Sequence, residues 1–318
     1  MSLRGTAMSL FVFHTGNYNT SGSINASAWM AYPWKDTHTI IMYSEHVPVA
    51  TYARTHGVNV AYSAQVPENL GDEHARKRGI AHAIETCQGK TGCNALNLDV
   101  ERTLKPGRQA SHLTTYVGEL KAALISSGKS WKIILDAAAR PGYEGRYYNY
   151  TGLHQQGVDY FFVMDYDLND YTDPPPWNDS TRANSPAPVV EKGLKEFLKL
   201  VPAHKLVMGL PFYAYVYNIV AGRPVTRTQI GNQEVSMKLR DTSWKRAFDN
   251  ASETPFLTRG NIAFSQQVWY DDVSSIAAKV ATARRLGITH TGCWTGDSLD
   301  YSDKAYYPAS EYWRALTL

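Results

Sequence analysis

The chain has 318 residues, enough for one large domain or two ordinary ones, and its 43% apolar and 12% aromatic content excludes global disorder. The net charge is +3 and the basic residues are scattered. Arg76-Lys77-Arg78 and Arg284-Arg285 are the only tight basic clusters, each in a helix-like stretch, which excludes a nucleic-acid surface; no apolar run approaches membrane-spanning length.

Residues 1–8 lack the apolar run of a signal peptide and read as an appended leader joined to a chain whose own targeting segment has been trimmed, so the domain is expected over 9–318. Strand-like stretches follow at Leu10–His14, Thr39–Tyr43, Val58–Ser63, Ala95–Val100, Trp131–Ala137, Tyr160–Met164, Lys205–Leu210 and Thr289–Trp294. Helix-like segments lie between them near 46–56, 71–86, 109–127, 187–201 and 272–286, with a last one near 308–316. Gly128, Gly157 and Gly287 stand where helices should stop. Eight strands alternating with helices predict a parallel sheet closed into a single α/β (β/α)8 TIM barrel. An open doubly wound sheet is the alternative, but no Gly-rich phosphate turn follows any strand.

Two long connections interrupt the repeat. Residues 167–186 are polar, Pro-rich and aromatic, and about 218–265 form a short insertion between the seventh and eighth strands. Such loops line active sites in compact barrels, which makes Tyr171, Trp177 and Trp269 candidate wall residues. Cys87 and Cys93 bracket a short Gly-containing loop and could close a small ring, while Cys293 reads as a buried thiol. No Cys/His spacing suits a metal, and no cofactor is expected. Sequons at Asn19, Asn25, Asn149, Asn178 and Asn250 favour a secretory route.

The chemistry concentrates at the end of the fourth strand. In Asn97-Leu98-Asp99-Val100-Glu101, strand alternation puts Asn97, Asp99 and Glu101 on one face and Leu96, Leu98 and Val100 on the other. Two carboxylates about 7 Å apart along a strand can share a proton, which raises one of them into the range of a general acid. Strand ends of a barrel are where chemistry is expected. Met164-Asp165-Tyr166-Asp167 offers a phenol and carboxylates at the end of the sixth strand, and Trp294 at the eighth offers a flat apolar floor for a sugar ring. Gln267 and Trp269 add amide and aromatic groups near the same rim.

These residues together resemble glycoside hydrolase family 18, most closely its di-N-acetylchitobiase branch. The family's fourth-strand signature, Asp-x-x-Asp-x-Asp-x-Glu, corresponds here to Asn94-Ala95-Leu96-Asn97-Leu98-Asp99-Val100-Glu101. Asn97 fits the chitobiase branch; Asn94 departs from the signature and affects only outer hydrogen-bond support. The likeness continues through Tyr148-Asn149-Tyr150-Thr151-Gly152, Phe162-Val163-Met164-Asp165-Tyr166-Asp167, Leu206-Val207-Met208-Gly209-Leu210-Pro211, Gln267-Val268-Trp269-Tyr270-Asp271 and Leu299-Asp300-Tyr301-Ser302. Ala214 replaces the glycine usual after Pro-x-Tyr, a change that narrows the cleft near Tyr213 and Tyr215.

The resemblance implies hydrolysis of β-1,4-linked N-acetylglucosamine, as a chitobiose core or chitooligosaccharide, with retention through an oxazolinium formed by the substrate's own acetamide. It makes Glu101, Asp99 and Tyr166 catalytic and Asn97, Met164, Asp167, Tyr213, Trp294, Gln267 and Trp269 substrate-binding. An endochitinase or endo-β-N-acetylglucosaminidase, or a non-catalytic glycan-binding lectin on the same barrel, stays open at this point. The expected partner is an N-acetylglucosamine oligosaccharide, with neither nucleic acid nor membrane, acted on by a monomer in a lysosomal, vacuolar or secreted setting.

Overall fold

The structure is a computed structural model that describes residues 8–16, 28–168 and 183–318. The leader, the sequons at Asn19, Asn25 and Asn178, and the wall candidates Tyr171 and Trp177 lie outside the described residues, apart from Met8.

Eight parallel strands close into one barrel: β1 (Ser9–His14), β2 (Thr37–Met42), β3 (Asn59–Ser63), β4 (Cys93–Leu98), β5 (Lys132–Ala138), β6 (Tyr160–Met164), β7 (Leu206–Pro211) and, after an insertion of five strands, β13 (His290–Trp294). β1 pairs with both β2 and β13, which seals the ring. The helices α1 (Val47–Thr55), α2 (Glu73–Gly89), α3 (Arg108–Ser126), α5 (Ala187–Phe197), α7 (Val273–Arg285) and α8 (Ala309–Thr317) alternate with them as expected. A short helix α4 (Tyr150–Gln155) was not legible, because six residues containing Gly152 carry too few turns for a period; the Asn149 side chain starts it by accepting from Gly152 N. No described helix is long and apolar enough to cross a membrane.

Alternation along the strands separates two cores. Leu96, Leu98 and Val100 pack outward with Leu135, Val163 and the helices, whereas Phe11, Phe13, Ile41, Ala61, Ala95, Ile134, Phe162 and Val207 fill the barrel. Phe162 lies across the axis over Gly209 and Gly292; a Cβ at either glycine would come within 2.3 Å and 2.5 Å of its ring, so no larger residue fits there. At the N-terminal end, Phe11, His38, Tyr160 and His290 close the barrel with ring centroids 4.9–6.0 Å apart. Asn94 belongs to this region, bridging β3 and β4 by accepting from Val60 N and donating to Asn59, each at 2.8 Å. Cys87 and Cys93 are joined in a disulfide, and Cys293 is a buried free thiol.

The insertion starts and ends differently from the expected 218–265. It is an antiparallel sheet of order β10-β11-β12-β8-β9, from β8 (Tyr213–Val220) and β9 (Arg223–Gly231) through β10 (Lys245–Asp249) and β11 (Thr254–Gly260) to β12 (Phe264–Trp269), with helix α6 (Asn232–Arg240) between β9 and β10. The reason is that Tyr213-Ala214-Tyr215-Val216-Tyr217 is itself an alternating strand. Tyr213, Tyr215 and Tyr217 face one way with Trp269, while Ala214 and Val216 face the insertion's own core with Trp244, Leu257 and Val268.

Candidate active site

At the C-terminal end of the barrel a cavity of about 190 Å³ is walled by Asp99, Glu101, Asp136, Met164, Tyr166, Asp167, Tyr213 and Trp294, with Tyr43 and Gln229 completing the rim. It is smaller than the roughly 300–1,000 Å³ clefts that take drug-sized ligands, as suits one ring of a larger substrate. Six of the eight residues expected at the site beyond the acidic pair meet here or directly behind it: Tyr166, Met164, Asp167, Tyr213 and Trp294 on the wall, and Asn97 beneath the floor.

The acidic row runs from the core outward. β4 ends at Leu98 rather than at the expected Val100, so Asp99 and Glu101 stand just past the ladder. Their alternation persists: Asn97 is fully buried, Asp99 half-buried and Glu101 exposed, while Val100 stays in the outer core. The Tyr148 hydroxyl pins this segment, pointing at the carbonyls of Val100 and Arg102. Asn97 Nδ2 donates to Asp136 Oδ1 at 2.8 Å, which fixes the carboxylate of β5 under Asp99. Tyr43 donates to Asp99 Oδ2 at 2.8 Å, and the other Asp99 oxygen is buried with no hydrogen-bond partner among the described residues.

Carboxyls crowded around one cavity cannot all ionise cheaply. Burial first, and the neighbouring Glu101 second, push the Asp99 carboxyl above the usual range, against the pull of Tyr43 and Arg146. Asp136 is driven well above its usual value by burial and then by Asp99, with the Asn97 amide opposing. The phenols of Tyr43, Tyr166 and Tyr213 are raised by burial and by the carboxylates beside them, so they remain neutral donors. Arg146 donates to Glu101 Oε2 at 2.8 Å.

Asp167 has a left-handed backbone, φ +58°, and accepts from Tyr213 at 2.6 Å and Tyr215 at 2.7 Å, so the insertion grips the end of β6. Trp294 lies against Phe13, Tyr43 and Tyr166, with centroids 5.0, 5.7 and 6.5 Å away; the Trp294–Thr295 peptide is cis. Two expected binding residues stand back from the cavity. Trp269 stacks on Phe256 at 4.6 Å and donates to Gln267 Oε1 at 2.9 Å, both on the insertion sheet. Asp165, in the Met164–Asp167 string, points the other way: it is fully buried outside the barrel, raised by desolvation, with neither oxygen bonded among the described residues.

Four residues at the site escaped the sequence reading. Asp136 carried a signal, a lone acid in Ile133-Ile134-Leu135-Asp136-Ala137, and Tyr43 had the inward parity of Thr39 and Ile41. Arg146 and Gln229 come from a loop and from the insertion, where no periodicity points.

The sequence profile of the family described as "Glycosyl hydrolases family 18" matches residues 59–298. The di-N-acetylchitobiase of Mus musculus is 25% identical over 96% of this chain and 87% of its own length. A probable di-N-acetylchitobiase of Dictyostelium discoideum is 29% identical over 92% and 86%. Among solved structures, a class V chitinase from Pseudomonas fluorescens superposes with a TM-score of 0.76 at 21% identity, covering 98% of each chain. A class V chitinase from Nicotiana tobaccum in complex with NAG4 superposes with a TM-score of 0.76 at 14% identity, covering 99% of each. The closed barrel, the acidic row at its mouth and the match across most of the sequence lead to one conclusion: the chain belongs to glycosyl hydrolase family 18, as a glycosidase of the chitobiase and chitinase type.

Proposed function

We propose that the chain hydrolyses β-1,4-linked N-acetylglucosamine in chitobiose cores or chitooligosaccharides, with the substrate's acetamide as nucleophile. The observation that carries this reading is the cavity in which Asp99 and Glu101 stand side by side over a buried Asp136, facing Tyr166 and Trp294. Glu101 gives its proton to the glycosidic oxygen as the C1–O bond breaks. The acetamide carbonyl oxygen bonds to C1 and forms an oxazolinium; Glu101, now a base, takes a proton from water as that water attacks C1 and frees the acetamide. The acetamide and the water attack C1 from opposite faces, each with inversion, so the overall configuration is retained.

Asp99 receives the acetamide N–H and offsets the positive charge of the ring. Asp136 beneath it, held by Asn97, keeps a proton available to that pair, so Asp99 meets the developing cation as an anion. Tyr166 holds the acetamide oxygen in line, Trp294 floors the sugar, Met164 fills the wall, and Asp167 with Tyr213 binds sugar hydroxyls. Gln267 and Trp269 support substrate at the outer rim, from the insertion sheet. The substrate is a soluble glycan in a lysosomal, vacuolar or extracellular setting, met by a monomer.

The test is product analysis on chitobiose, chitotetraose and a core N-glycan with the wild type and Glu101→Gln. The variant is expected to lose two or more orders of magnitude in kcat with little change in binding, about what general acid catalysis contributes. Near wild-type hydrolysis by that variant would remove Glu101 from the role, and absence of reducing sugar with the wild type would leave a lectin.

A further inference from the structure

Arg146 takes no part in the reaction as described, yet it is the charge most tightly built in beside Glu101. Its side chain is 8% exposed, and its Nη2 is shared between Glu101 Oε2 at 2.8 Å and Glu144 Oε2 at 2.6 Å. Its Nε is buried and unpartnered among the described residues. The segment carrying it is stapled to the chain that leaves Glu101: Leu104 N donates to the Gly145 carbonyl and Tyr147 N to the Leu104 carbonyl. Glu144 reaches the guanidinium from a turn with left-handed backbone, φ +53°, a region that side chains with a Cβ rarely adopt. Glu144 and Arg146 also line a smaller cavity of about 80 Å³ that shares Glu101, Met164, Tyr166 and Asp167 with the main one.

An arginine bonded to a single carboxylate holds it in the ionised form, the wrong state for a proton donor. A second carboxylate on the same nitrogen draws off part of that charge. We propose that Arg146 is a positioning residue for Glu101 and Glu144 its counterweight, and that the sharing of the guanidinium between them sets the upper pH limit of hydrolysis. The proposal rests on Glu101 being the proton donor. The other titratable groups facing this pair are Asp99, Asp136, Tyr43, Tyr166, Asp167 and Tyr213 around the main cavity, Tyr143 in the smaller one and Tyr148 beside Arg146. They are the same in every variant below, so differences between variants isolate the two partners.

The experiment is the pH dependence of kcat/KM on chitotetraose. Glu144→Gln leaves Arg146 wholly to Glu101 and is expected to move the alkaline limb to lower pH by about half a unit to one unit, the usual arginine effect reduced for a half-exposed carboxylate. Arg146→Met is expected to move it to higher pH by a similar amount while lowering kcat. Arg146→Lys restores the charge but not the fork, so the limb returns and kcat does not. Limbs that stay put, or that move the same way in Glu144→Gln and Arg146→Met, overturn the proposal. Glu144 is half exposed, so its variant decides the matter even if Arg146→Met fails to fold. Glu101→Gln separates the two claims: an active variant overturns the proton-donor reading as well, whereas an inactive one with unmoved limbs elsewhere overturns only the role of Arg146.

Discussion

Both ends of the barrel axis hold titratable side chains, and they treat them differently. At the C-terminal end, burial pushes Asp99 and Asp136 up, and both face a cavity. At the N-terminal end, burial pushes His38 down and His290 down to about 4, and both are packed among Phe11 and Tyr160. Desolvation favours the neutral form at each end, as it does for any group taken out of water. What separates them is the alternative available. The upper carboxyls sit among polar groups around an open cavity, while the lower imidazoles are closed in by packed rings. A perturbed titration therefore marks chemistry only where an opening accompanies it.

The sharpest way to break this contrast is Asp99→Asn. It keeps the shape of the cavity and, on the proposed mechanism, removes the anion that would meet the oxazolinium, so kcat is expected to fall by about 10²–10³, or roughly 3–4 kcal/mol of transition-state stabilisation. Full activity in that variant, measured as reducing sugar released from chitotetraose, would argue that the acetamide takes no part. At the other end, His290→Phe should leave hydrolysis at neutral pH unchanged and alter only stability. The sign follows from proton uptake: an unfolded histidine titrates near 6.5 and the folded one near 4, so the unfolded state binds more protons between those values. Wild-type stability from this residue is present above pH 6.5 and is lost as pH falls toward 4. The Phe variant should avoid that loss, gaining on the order of 1–2 kcal/mol relative to wild type at pH 4 after allowance for partial exposure. Urea midpoints that run parallel from pH 4 to 8 would contradict it.

The smallest expected effect tests the wall. Tyr213→Phe takes one of the two phenol donors from Asp167 and leaves Tyr215, so kcat/KM should drop about fivefold, near 1 kcal/mol. A loss as large as that of Asp99→Asn would place the insertion in the chemistry rather than in binding.

Much of this molecule could be read from the residues alone. Short apolar, β-branched stretches located all eight barrel strands, and the parity of Asn97, Asp99 and Glu101 placed the acids on the face opposite Leu96, Leu98 and Val100. Both depend on side chains a few positions apart, which local geometry controls. The start of the insertion was misplaced because Tyr213-Ala214-Tyr215 follows the seventh barrel strand with only Phe212 between, and nothing local tells one strand from the next.

Other features were decided only when the ring closed. Asn97 meets Asp136 from 39 positions away, Tyr43 meets Asp99 from 56, and Arg146 meets Glu101 from 45. Gln229 reaches the rim on a hairpin that folds back over the barrel mouth. Which strands become neighbours, and how far one register is staggered against the next, is a property of barrel closure and not of any window of sequence. The pattern of residues determined that acids would stand at the mouth; the tertiary structure decided which groups surround them, and so which of them hold a proton.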